Sequence, residues 1–474
     1  MPIIGPYIVG GDKEAQSMMR EFLIYNRNRS DKEKCDACIV QYLILAVMLL
    51  VIVFLFSVFQ FWAYVFGIAN PILPAYFPLD AVPSRLPYSS KSSRKLSLQF
   101  FKFSNQNVPE AAECQQRVVG YYTEFESIDI TCSQLNHVTH AVFANVEMNS
   151  DGNLRFKTRK AKERFMSLRR KSRQVESKPE LMISIGGEEN SQYFASFTNE
   201  SYKRRIFVNS IYLFIKYYGI DGVDFYWKRA KESDKINYLL LLKEVREKLE
   251  TMGTFTISVT IPAAGIENWE ASYDLNQMLE YVDFINVFSM DYYGPWENQY
   301  GTPAGPTAPL YYGVGARKNF NVDSTMNYYV CNTQKPEKFN IVIPFFARLW
   351  KNVGDVVEVG KEAYRNVELK NDKAEGKPYM SRWTVQHDQW DLSNSTWDEP
   401  SKTSYIYDKE KEVYMSFETQ QSIKAKMDYV KEKNLGGVWI WSLEMDDNEN
   451  SLLNVVSSNK HCFSKRNESI AYKC

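Results

Sequence analysis

Eight short runs of apolar and β-branched residues recur along the last three quarters of the chain, at 117–122, 138–143, 181–185, 222–226, 255–261, 284–289, 340–345 and 437–441. Runs of this length suit strands buried on both faces, and such strands belong to parallel sheets. Helical patterns lie between them. In 201–217, Phe207, Ile211, Phe214 and Ile215 share one face, and in 234–250 the face is assigned to Ile236, Leu239, Leu240, Val245 and Leu249. Eight strand–helix units over about 360 residues predict an α/β chain folded as a (β/α)8 TIM barrel spanning 114–474. Segment 351–402, rich in charge and tryptophan, breaks the alternation between strands seven and eight. Its length predicts a small inserted subdomain.

The N-terminal part reads differently. Residues 1–38 are polar, and 39–66 are almost wholly apolar, longer than the ~20 residues a helix needs to cross a bilayer. Tyr42, Trp62 and Tyr64 sit near its ends, as interfacial aromatics do. Arg20, Arg27, Arg29, Lys32 and Lys34 precede this segment, and the next cation is Arg85. The positive-inside rule then predicts a type II signal-anchor, with 1–38 a cytoplasmic tail and the barrel extracellular or luminal. Residues 67–113, interrupted by prolines and serines, are predicted to form a stalk. Fifty-seven basic residues balance fifty-seven acidic ones, so overall charge gives no reason to expect nucleic acid.

Barrel enzymes carry their sites at the C-terminal strand ends. The fourth run closes 218–228, YGIDGVDFYWK, where Asp224, Tyr226 and Lys228 alternate and would share a face. The other ends read Tyr121-Tyr122, Ser184-Ile185-Gly186-Gly187, Ser289-Met290-Asp291, Phe346-Ala347-Arg348 and Trp439-Ile440-Trp441. Asp221, Gly222, Asp224 and Trp227 match the DGxDxDWE signature of family 18 glycoside hydrolases, the chitinase family, which the chain resembles from Cys114 to Asp447. The stretch 117–145 is similar to nematode chitinase-like proteins.

That resemblance implies a substrate-assisted reaction, in which the sugar's own N-acetyl group attacks its anomeric carbon. One carboxylic acid protonates the leaving oxygen, and a second carboxylate orients the acetamido group. Lys228 stands where the acid belongs and Tyr226 where its companion aspartate belongs, so the motif is degenerate and the catalytic set is empty. A lysine cation cannot serve as the family's carboxylic acid and opposes an oxocarbenium-like transition state. The resemblance assigns ligand contacts to Trp441, Asp291, Tyr121, Arg348 and Gly187, with Asp221 and Asp224 as remnants of the motif. Met290 replaces a tyrosine and Glu188 a tryptophan. Three readings follow: an inactive protein binding chitin or N-acetylglucosamine glycans, an interaction protein with an occluded cleft, and, least favoured, a hydrolase using Glu232 or Glu124. Trp441 suits either core filling or sugar contact, and an Asp291–Lys228 ion pair is expected.

Asn199, Asn394 and Asn467 open glycosylation sequons on the predicted outer side. Beyond the apolar segment, Cys114 is paired in expectation with Cys132 and Cys462 with Cys474, which leaves Cys331 over. No metal spacing or phosphate loop is present, so no cofactor is expected.

Overall fold

The computed structural model describes residues 116–388, 390–460, 472 and 474. The predicted tail, the 39–66 segment, the stalk, Cys114, Cys462 and Asn467 lie outside them. Among the described residues no helix is long and apolar enough to cross a membrane.

Eight parallel strands close into a barrel: β1 (Arg117–Thr123), β2 (His140–Met148), β3 (Glu180–Gly186), β4 (Gly222–Tyr226), β5 (Thr256–Pro262), β6 (Phe284–Phe288), β7 (Phe339–Pro344) and β8 (Gly437–Trp441). Closure is visible at Val119, which aligns with His140 of β2 on one side and Trp439 of β8 on the other. The fold is therefore the expected (β/α)8 TIM barrel, with every residue of β4 and β7 buried.

Helix Ser201–Tyr218 buries Phe207, Ile211, Phe214 and Ile215, the predicted face. Helix Lys235–Glu250 does not. It buries Tyr238, Leu241, Leu242, Val245 and Leu249, while Ile236 is 71% exposed. A run of four leucines leaves the helical phase open, and the Tyr238 ring settles it by packing on Trp227 at 5.0 Å.

The insertion is a five-stranded antiparallel sheet in the order Gly376–Ser381, Phe346–Trp350, Val413–Phe417, Thr403–Asp408 and Thr396–Asp398. It takes in more chain than 351–402. Phe346–Trp350 and Val413–Phe417 lack the compositional bias that marked the segment, yet they pair at the middle of the sheet.

The cysteine pairing differs from expectation. Cys474 bonds Cys331 across a Cα separation of 5.4 Å, tying the C-terminus to helix Val322–Thr333. That rules out Cys462–Cys474. Cys132, at the start of the short helix Cys132–Leu135, is a free, exposed thiol, so Cys114–Cys132 does not form either. Nearness along the chain misled in both cases, because disulfides require nearness in space.

Candidate functional site

A polar seam runs through the barrel interior beneath the strand ends. Asp224 lies in register between Ser184 and Ser258, and both hydroxyls donate to it at 2.8 Å; Thr260 donates at 3.1 Å. The Tyr121 hydroxyl meets Thr260 Oγ1 at 3.1 Å and accepts from Asn286 at 3.0 Å. Asn340 in turn donates to Asn286 at 2.9 Å. Burial raises the Asp224 pKa, and these hydroxyl bonds offset part of the rise. Tyr121 is 1% exposed and committed to this seam, so its expected place on the cleft surface is corrected: it supports Trp441 from below at 5.7 Å between ring centroids.

Above the seam lies a cleft of about 360 Å³, walled by side chains from the ends of several strands and from the insertion. Tyr226, Lys228, Phe288, Met290, Asp291, Arg348 and Trp441 all line it. Tyr226 packs on Phe288 at 5.9 Å with the rings nearly parallel. Trp441 is half-buried, with one edge against Trp439. Gly186, not Gly187, is among the residues that line the cleft. Gly187 is buried, donates its amide to Tyr226 O at 2.9 Å, and has φ of +82°; a Cβ there would meet Asn145 Oδ1 at 2.8 Å. Its part is to let β3, β2 and β4 approach closely, which corrects the assignment to ligand contact.

Asp221 stands at the opposite end of β4, accepting the Leu181 amide at 2.9 Å, and takes no part in the cleft. Trp227 faces outward and stacks on Phe194 at 5.0 Å. Two of the signature residues thus serve the fold.

The charges pair differently from expectation. Lys228 contacts Glu188, which also holds Arg229 at 3.1 Å. Asp291 pairs with Arg348 at 2.5 Å, so the expected Asp291–Lys228 pair does not form. Arg348 is also positioned by Pro378 O at 2.5 Å and by the rings of Trp296 and Phe346, each 5.1 Å away. A guanidinium so enclosed is the better partner for a half-buried carboxylate. Glu188 directly follows the glycine pair, so a signal for its position was present in the sequence. Tyr379, another cleft residue, comes from the insertion and had none.

Of the carboxylates considered as substitutes, Glu232 is exposed outside the cleft lining, while Glu124 lines it and sits 3.6 Å from Lys157. Burial raises the Glu124 pKa. Asn199 and Asn394 are exposed, as sequons require. Among the described residues no group of three His, Cys, Asp or Glu could hold a metal ion.

Behind the cleft lies a titratable group that sequence patterns did not reveal. Glu444 is 1% exposed; Oε1 accepts the Thr123 amide at 2.8 Å and lies 3.6 Å from Arg164, while Oε2 has no hydrogen-bond partner. Burial pushes its carboxyl up to about 7, and the Thr123 bonds and the Arg164 charge only partly oppose this. An unfolded carboxylate titrates near 4.5, so between these values the native state holds a proton that the unfolded chain has lost. The contribution of Glu444 to stability is then greatest on the acid side and falls as pH rises through this window, while His140, which burial holds down to about 3, contributes with the opposite sign. Glu444→Gln is expected to remove about 2 kcal/mol of that fall, read from urea unfolding at pH 5 and pH 7.5. Asp446, raised by burial to about 6, contributes with the same sign and remains in the variant. An unchanged slope would rule Glu444 out as a source.

Residues 117–446 match the family described as Glycosyl hydrolases family 18. Chitinase A1 of Niallia circulans is 26% identical over 309 residues, covering 59% of this chain and 42% of that protein. Chitinase-3-like protein 2 of Homo sapiens is 24% identical over 279 residues, covering 57% of this chain and 70% of that protein. The chain spans about half the length of the first curated relatives it matches. YKL-39, solved in the presence of chitooligosaccharides, shares the fold with a TM-score of 0.62 at 20% identity, covering 72% of this chain and 99% of that one. With the match running from the first barrel strand past the last, this chain belongs to glycosyl hydrolase family 18.

Proposed function

We propose that this is a chitinase-like protein without hydrolytic activity, held in a membrane through residues 39–66, whose extracellular or luminal cleft binds chitin or N-acetylglucosamine glycans. The observation that carries the reading is the end of β4, where Tyr226 and Lys228 occupy the cleft at the two positions the family's reaction reserves for carboxylates. Neither side chain supplies a carboxylic acid to a leaving oxygen. A half-buried Trp441 and the Asp291–Arg348 pair remain as an aromatic face with adjacent polar groups, a combination suited to a sugar. The chitooligosaccharides named with YKL-39 support the ligand class at the level of shared fold.

A second reading, an interaction protein that takes no sugar, draws on Glu188 binding both Lys228 and Arg229 beside the cleft. Chitin beads and a fluorogenic chitin oligomer separate these readings. The full-length chain is expected to be retained on the beads with no turnover, and Trp441→Ala, checked for folding by circular dichroism, to weaken retention about tenfold. Equal retention of both proteins would favour the occluded cleft. Turnover abolished by Glu124→Gln would restore the enzyme reading.

A further inference from the structure

The chain is neutral as a whole, but its charge is unevenly placed. Between Arg155 and Lys178 there are eleven Lys and Arg and only two Glu. Most of this excess sits on helix Arg159–Ser172 and its C-cap Arg173, on the flank of the barrel. At 100° per residue, Arg159, Lys162, Arg169, Arg170 and Arg173 fall within about 100° of arc, a stripe about 20 Å long. Met166, 38% exposed, is the one large apolar side chain among them.

Part of this pattern has a purely structural account. Cations near a helix C-terminus complement its dipole, and Arg169 and Arg173 donate to the Tyr218 and Gly219 carbonyls that end the neighbouring helix. That account does not reach Arg159 and Lys162 in the first turn, where the dipole disfavours cations. Arg159 makes an exposed pair with Glu163; among the described residues neither Lys162 nor Arg170 makes an ion pair, and Arg170 donates only to Ser167 Oγ, at 3.5 Å. The anchoring of Arg173 is itself built in: Gly219, at φ of +60°, leaves room that a Cβ would fill 2.7 Å from the guanidinium.

The geometry points to this stripe as a docking surface for a sulfated linear polysaccharide, at a site separate from the cleft. Several guanidinium and ammonium groups in a row match closely spaced sulfates, and two of the arginines are pre-set by backbone contacts. An anionic bilayer would call for apolar side chains among the cations, and the stripe offers only Met166. The Cys331–Cys474 disulfide favours an oxidising compartment, where sulfated glycans rather than nucleic acids are the abundant polyanions.

Heparin is the probe, bound to the full-length chain at physiological salt. Charge reversal by Arg159→Glu, Lys162→Glu and Arg170→Glu together is expected to weaken binding at least about tenfold and to flatten its salt dependence. A control carrying Lys351→Glu, Lys409→Glu and Lys431→Glu has the same change in net charge and is expected to stay within about twofold. Circular dichroism checks that both variants fold, and N-desulfated heparin is expected to bind weakly. Equal losses in the two variants, or no binding by the parent chain, would overturn the assignment. So would a loss of binding to phosphatidylserine vesicles or to duplex DNA, on the same charge reversal, equal to or greater than the loss of heparin binding.

Discussion

Lys426→Met is expected to lower the free energy of unfolding by about 3–5 kcal/mol, the largest stability effect of any single polar substitution considered. Lys426 lies on helix Gln420–Glu432 with its side chain fully buried, and its ammonium contacts Glu418, which is 6% exposed. Ser422 donates to the other Glu418 oxygen at 2.6 Å, so the carboxylate is satisfied only while the lysine is present. Removing the cation leaves a carboxylate in a site that water does not reach. The desolvation penalty then stands unopposed, or the group protonates and loses its charge. Because the pair's own net worth is small, Lys426→Met with Glu418→Leu is expected to recover stability to within about 1 kcal/mol of the parent. Urea unfolding measures both. A single variant within about 1 kcal/mol of the parent would mean that solvent enters this site.

The same distinction between local pattern and spatial partner explains how much of the molecule could be read in its sequence. Buried parallel strands leave a strong trace because both faces must be apolar, and all eight barrel strands lie where such runs occur. The phase of Lys235–Glu250 left no trace, since leucines on every side of a helix give no single face until a neighbour such as Trp227 selects one. Site residues behaved likewise. Trp441 and Asp291 reach the cleft because barrel strand ends place them there, and Arg348 because the insertion strand Phe346–Trp350 follows β7 directly, whereas Tyr121, on an equally well-placed strand, is held inward by Thr260 and Asn286. The partner of Lys228 depended on which loop crosses it, and strand periodicity cannot supply that. Glu188 won because the turn after Gly187 brings it alongside, while Arg348 had already claimed Asp291.

Tyr226→Asp combined with Lys228→Glu is expected to produce chitin-oligomer hydrolysis at least about 10²-fold above either single variant, following the scale of general acid catalysis. The surroundings favour it. Asp224 already sits on its three hydroxyl donors in the seam, two residues before position 226 on the same strand face. Trp441 and the Asp291–Arg348 pair line the space above. A carboxyl introduced at 228 would meet Glu188 where the lysine now does, and a like charge beside it raises its pKa, as a general acid requires. Lys228→Glu alone keeps the tyrosine ring where the acetamido group must sit; Tyr226→Asp alone keeps the ammonium at the leaving group. Each single variant is therefore expected to remain silent, and the pair to be strongly non-additive. Loss of the Tyr226 ring from its contact with Phe288 weakens packing by about 2–4 kcal/mol, so turnover is compared only among variants that unfold cooperatively. A folded double variant that binds the oligomer and does not cleave it would place the block elsewhere in the cleft, with Met290 and Glu188 the next positions to restore. Turnover in the double variant would trace the proposed inactivity to two side chains at the end of one strand.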